Sequence, residues 1–185
     1  MVKRGNLKER INVNMSDGNS YITKEPVILT DEGLTPCSFV TLEKYSATAQ
    51  NVHFYQVDNH PCVRDRELVS TYEYAFLGTT GHDGYYKGPI VVQSDVWIGE
   101  FATIMGGVTV GYGAIVGAFS VVDNDVPPFA VVHGNRATLR GYRFTPEQIK
   151  KLLLIRWWDW PHEVVVQRSS DMLDIDSFIE KYRKI

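Results

Sequence analysis

Aliphatic side chains recur every six residues along the second half of this chain: Val92, Ile98, Ile104, Val110, Val116 and Val122 share one phase. Four positions after each comes a small or compact residue: Val96, Ala102, Val108, Ala114, Ser120 and Val126. An amphipathic helix places apolar residues at i, i+3, i+4 and i+7, and a half-buried strand alternates with period two, so the pattern fits neither. It fits a coil of short strands and turns, with six residues to a face and three faces to a coil, which is a signature of parallel β-helices. The residue at the repeat phase points inward and stacks on its equivalents; the position four later lies at a tight corner. Gly99, Gly111 and Gly117 each follow an inward residue and suit a turn where the backbone approaches closely or φ is positive.

A weaker run on the same ruler, Leu42, Thr48 and Phe54, with Ser46, Val52 and Asp58 four later, marks residues Pro36 to about Asp58 as earlier coil. The first 35 residues have β character in "SYITKEPVILT" but no clean phase, and are expected to cap the first coil. Between the two runs, "NHPCVRDRELVSTYEYAFLGTTGHDGYYKG" breaks the pattern. A solenoid tolerates such insertions at its corners, and long loops there carry function.

After Val126 the repeat stops at Pro127-Pro128, and "FAVVHGN" adds one strand-like piece before the basic segment "RATLRGYRF". "TPEQIKKLLLIRWW" reads as a helix with Thr145 as N-cap, Pro146 in the first turn and Gln148 completing a capping box. Pro161 ends it by disfavouring helix at Trp160, and short helical pieces follow near His162–Arg168 and Asp176–Arg183. Trp157, Trp158 and Trp160 read as core or subunit packing rather than a ligand cage. The domain reading is a β-helix over 1–142, with an active-site loop about 58–88, and a helical extension over 143–185.

Composition narrows the function. A 185-residue chain with 44% apolar and 22% charged residues is a folded protein of one medium domain with an appendage. A formal net charge of −3 without a basic stripe argues against nucleic-acid partners. The longest apolar stretches fall far short of a bilayer span, and no apolar segment follows the basic start, so the expected compartment is the cytosol. Cys37 and Cys62 form no disulfide framework and no metal-ligand spacing, and no metal is expected.

The stretch "DVWIGEFATIMGGVTVGYGAIVGAFSVVDNDVPPFAVVHGNRA", the tail "IKKLLLIRWWDWP" and an "NH" loop running into "VSTYEYAF" together resemble the hexapeptide-repeat xenobiotic acetyltransferases, the type-B chloramphenicol and streptogramin enzymes and their relatives. The match runs from about Leu42 to the end. It implies a mainly β fold, a left-handed parallel β-helix with inserted loop and helical tail. It also implies a homotrimer with sites at subunit interfaces, acetyl-CoA as donor, and a hydroxyl acceptor of small-molecule type. The family's catalytic histidine falls on His60. An imidazole with pKa near 7 suits that role, because it can take the proton of an alcohol attacking a thioester. Trp97 and Ala118 match positions lining the pantetheine arm, and Arg140 and Arg143 would meet the nucleotide phosphates.

Three departures from the family pattern bear on the site. Asp123-Asn124 stands where relatives often read Thr-Lys, removing a cation expected near the CoA phosphates. "HGNRAT" replaces "GGNPAK" and moves the positive charge to Arg136. In the loop, "HPCVRDRELVSTYEYAF" lacks the usual tryptophan, leaving Tyr72 and Tyr74 to face the acceptor. Antibiotic and sugar hydroxyls therefore both stay open as acceptors. Two rivals remain beside the O-acetyltransferase reading. One is a carbonic anhydrase-like zinc enzyme using His53, His60 and His82, whose spacing gives no sign of convergence. The other is a non-catalytic trimeric scaffold.

Overall fold

The computed structural model describes residues 13–15, 21–22, 27–29, 40–55, 57–58 and 85–183. Through them the chain visits three parallel sheets in rotation. The first holds Val13–Met15, Val40–Leu42, Ile90–Val92 and Thr109–Val110. The second holds Tyr21–Ile22, Ala47–Thr48, Trp97–Ile98, Ile115–Val116 and Ala130–His133, and the third Val27–Leu29, His53–Tyr55, Thr103–Met105 and Val121–Val122.

The registers explain the six-residue phase. Val92 pairs with Val110, Ile98 with Val116 and Ile104 with Val122, each eighteen residues on, so three hexads return the chain to the same sheet one rung higher. Leu42, Thr48 and Phe54 sit opposite Val92, Ile98 and Ile104, and so continue the same stacks across the insertion. The phase residues from Leu42 to Val122 are at most 2% exposed and form one core with the compact residues Val96, Ala102, Val108 and Ala114. Each fully buried Val, Leu or Ile contributes about 1.5–3 kcal/mol, enough for the stack to dictate the register.

Eight of the corners are made by a residue of positive φ three places after an inward one. Tyr45, Asp95, Gly113 and Phe129 turn the chain from the first sheet to the second; Asn51, Phe101 and Phe119 from the second to the third; Gly107 from the third back to the first. The glycines after inward residues serve a different purpose, close approach. A Cβ on Gly99 would stand 2.5 Å from the backbone nitrogen of Ala118, and one on Gly111 2.6 Å from that of Pro128.

Two expectations need correction. The first described strands do not merely cap the coil. They pair in parallel as a further rung, placing Met15, Ile22 and Ile28 opposite Leu42, Thr48 and Phe54. Their spacing of seven and then six hides the phase. The tail helix, Pro146–Ile155, has the expected Thr145–Gln148 capping box but stops before both tryptophans. Arg156 adopts a left-handed conformation (φ 45°, ψ 55°), and Trp157–Asp159 continue as a 3-10 turn. That break drops Trp158 fully into a second core with Phe129, Leu152, Ile155, Phe178 and Tyr182, so the indoles pack inside the chain. The later helices span His162–Gln167 and Ile175–Tyr182. No helix among the described residues is long and apolar enough to cross a membrane.

Candidate active site

The corner between the second and third sheets gathers several of the residues singled out in the sequence. Trp97 lies on the outward face of the second sheet between Ala47 and Ile115 and remains 42% exposed. Two residues on, Gly99 lets the next rung approach so closely that only its missing side chain leaves room for Ala118. The rungs below are closed by backbone bonds, Phe101 N–H to the Gln50 carbonyl and Phe119 N–H to the Glu100 carbonyl.

The next bond in that series is missing, for a reason visible in the register. Ile115 pairs with Val131, sixteen residues on, but Val121 meets Asn135, only fourteen on, so the last rung takes this corner two residues short. Gly134 N–H turns instead to the Ser120 hydroxyl at 3.2 Å. The N–H and C=O of half-buried Ala118 are left with no hydrogen-bond partner among the described residues. A backbone donor and acceptor pair at an open corner is what an extended amide-bearing ligand can bind.

Further charges lie on the third sheet, after Val122. Asp123 ion-pairs with Arg136 and accepts from the Asn124 side-chain amide at 2.9 Å. The Asp123 side chain is nearly buried while that of Arg136 is largely exposed, so the acid anchors a solvent-facing cation rather than cancelling it at depth. The two departures noted in the sequence are thus one unit: the acid gained at 123 holds the arginine gained at 136. Arg140, on the antiparallel edge strand Thr138–Tyr142, places Nη2 3.6 Å from where a Cβ on Gly134 would stand, and has no ion pair among the described residues.

Arg143 is elsewhere. Its Nη1 donates to Asp95 Oδ2 at 3.0 Å and to the Gly113 carbonyl at 2.6 Å, and its guanidinium lies over the Phe144 ring. Asp95 and Gly113 form the corner between the first and second sheets, so Arg143 sits on a different edge from Ala118 and Arg140, while Asp123 and Asn124 follow Val122 on the third sheet, where Asp123 holds Arg136. His60, Tyr72 and Tyr74 lie outside the described residues. So do His82, Cys37 and Cys62.

Two side chains that the sequence reading passed over belong to this corner. Phe101 and Phe119 stack at 5.1 Å with their planes 14° apart, and are 42% and 67% exposed. Their signal was available: both stand three places after an inward residue, eighteen apart, at positions where glycine is the easy choice. His133, whose ring lies over Gly117, is the third neighbour missed.

Residues 89–124 match the family described as Bacterial transferase hexapeptide (six repeats). A chloramphenicol acetyltransferase of Agrobacterium fabrum is 33% identical over 152 residues, covering 79% of this chain and 70% of that one. The chain belongs to the hexapeptide-repeat xenobiotic acetyltransferases. As such an acetyltransferase it shares 46% of 78 residues with a chloramphenicol acetyltransferase of Escherichia coli, a match that spans 42% of this chain and 37% of the relative. Among solved structures, the polySia specific acetyltransferase NeuO superposes with a TM-score of 0.50 at 26% identity, over 68% of this chain and 50% of that one. Among the described residues of this xenobiotic acetyltransferase no group of three His, Cys, Asp or Glu side chains is placed to hold a metal ion.

Proposed function

We propose that this acetyltransferase transfers the acetyl group of acetyl-CoA to a hydroxyl of a small molecule, and that His60 is the general base. The observation that carries the reading is the relationship to the Agrobacterium acetyltransferase, 33% identical over 152 residues. The geometry supports it. The open corner offers the Ala118 N–H and C=O to the amides of a pantetheine arm, Trp97 an apolar wall, and Arg140 and Arg136 charge for phosphates.

In the reaction so read, His60 takes the proton of the acceptor hydroxyl as its oxygen attacks the thioester carbonyl. The tetrahedral intermediate collapses with loss of the CoA thiolate, which recovers a proton from the imidazolium. Base catalysis of this kind contributes about 10²–10⁴ in rate. Tyr72 and Tyr74 face the acceptor.

The fold completes the reading: the three sheets close into a left-handed β-helix over 1–142 with the loop 58–88 projecting, and 143–185 form the helical extension. Three copies assemble with donor seams between neighbours, His60 coming from one subunit and Trp97 and Ala118 partly from the next. Such an enzyme works where acetyl-CoA is present, in the cytosol.

The acceptor has two supported classes. Chloramphenicol-type compounds follow from the curated relatives' names, and a saccharide hydroxyl from the likeness to the polySia specific enzyme. Thiol release from acetyl-CoA over a panel of chloramphenicol, streptogramin A, simple sugars and nucleotide sugars separates them. Release with one acceptor, lost in His60→Ala, is the expected result. CoA binding without release on any acceptor would instead favour the non-catalytic scaffold.

A further inference from the structure

The geometry points to the outer face of the Phe119 ring as the seat of the donor's purine base, an assignment that rests on the acetyl-CoA reading above. Each of the other two edges has its own cover. Along the first, Tyr45 packs on Trp157 at 5.1 Å, Phe129 on Trp158 at 6.3 Å, and Arg143 bonds Asp95 and Gly113, so the helical tail lies over it. At the third, Gly107 N–H donates to the Gly88 carbonyl and the Lys87 carbonyl oxygen stands 2.6 Å from where a Cβ on Gly107 would be, so the segment entering Ile90 covers that corner. Among the described residues the second edge has neither cover, and of the three edges so described it carries two stacked phenylalanines.

Those rings are costly choices for the fold itself. Both residues hold φ near 57°, a conformation that side chains other than glycine adopt only under strain. Neither ring belongs to either core. Phe101 covers one face of Phe119, and the shortened last rung leaves Phe119 the more exposed of the two. A flat ring added there continues the stack.

Charge selects which flat ring. Ser120, next in the chain, accepts from Gly134 N–H at 3.2 Å, and Arg140 Nη2 lies 3.6 Å from the Cβ position of that same Gly134. A π face on the corner that also carries Gly134 and the Arg140 guanidinium fits an anionic nucleotide, the base on the ring and a phosphate on the arginine. The other occupant such an edge could take is a second copy of the chain, which the test below separates.

The test is calorimetric titration of the full chain, Phe119→Gly and Phe119→Trp with CoA, repeated with 4′-phosphopantetheine, which lacks the nucleotide. Glycine accepts a φ of 57° without strain, so that variant should fold. The preference for CoA over phosphopantetheine, expressed as the ratio of dissociation constants, should fall about tenfold in Phe119→Gly and return in Phe119→Trp. An unchanged ratio in a protein that still binds CoA overturns the assignment of Phe119 alone. A smaller sedimenting species in Phe119→Gly overturns it in favour of a subunit contact. Absence of CoA binding by the unmodified protein overturns the donor reading and this assignment together.

Discussion

Arg143 and Asp95 meet at 3.0 Å across the corner where the helical tail lies on the first edge of the sheets. Burial pushes the Asp95 carboxyl above its ordinary range, and the Arg143 charge and hydrogen bond pull it part of the way back. A folded-state pKa raised above the unfolded one favours the fold at low pH, and that contribution is lost as pH rises through the folded value. At neutral pH the Asp95 charge is therefore a burden that Arg143 makes tolerable. Arg143→Ala is expected to destabilise by about 1–3 kcal/mol at pH 7, the cost of leaving a largely buried polar group without its partner. The loss should shrink as pH falls, beginning above the ordinary aspartate range, because burial without the Arg143 charge raises the carboxyl further and it protonates early. Thermal melting across pH 3 to 8 checks it, and an equal loss at all pH values would refute it.

Close approach at Gly99 gives a second expectation. A methyl group there would stand 2.5 Å from Ala118 N and 2.9 Å from its Cα, backbone atoms that cannot rotate away. Gly99→Ala should cost about 3 kcal/mol, at the upper end of overpacking, and lower CoA affinity because it displaces the Ala118 corner. Denaturant melts and CoA titration would show both changes; a variant as stable as the parent would mean that the rungs slide apart freely.

For the proposed base, the sign is set by protonation. Only neutral imidazole accepts a proton, so kcat/KM should rise with pH as the base loses its proton. His60→Ala should lose about 10²–10⁴ in kcat and this limb of the profile, with CoA affinity unchanged. A variant that keeps the limb would assign the base elsewhere.

The Asp123–Arg136 pair restrains a cation beside the third sheet, which under the proposed function would meet the CoA phosphates. Asp123→Asn removes one negative charge and frees the guanidinium for phosphate. CoA should bind roughly threefold tighter at low salt, with the gain fading as ionic strength shortens the screening length. Titration at two salt concentrations tests this, and weaker binding would show that Asp123 positions Arg136 for the ligand.

The sequence made the interior legible and the exterior much less so. A residue that must stack on its equivalents is constrained to one phase, so Val92 to Val122 could be read with a ruler. Thr48 fell in the same column despite its hydroxyl, because position outweighs chemistry there. The opening strands escaped because a spacing of seven then six breaks the ruler without breaking the pairing. Arg143 could not be separated from Arg140 by sequence, since three residues along a strand and its exit lead to different edges. Nor could the unpaired Ala118 carbonyl be foreseen; it depends on a two-residue shortening of a later rung. The stacked phenylalanines were readable only to an eye looking for corners rather than for core.

Eighteen residues, the interval between Val92 and Val110, is also a unit of growth. Removing or adding one such unit returns every strand to its own sheet and every left-handed residue to its own corner, so the body can lengthen or shorten while its cross-section stays fixed. A gain of six would instead hand each strand to the neighbouring sheet and turn the helical tail away from the edge it now covers. Descent with variation in this architecture is thus quantised like a screw thread: the pitch is conserved, and novelty enters at the ends or as a loop let out between two turns.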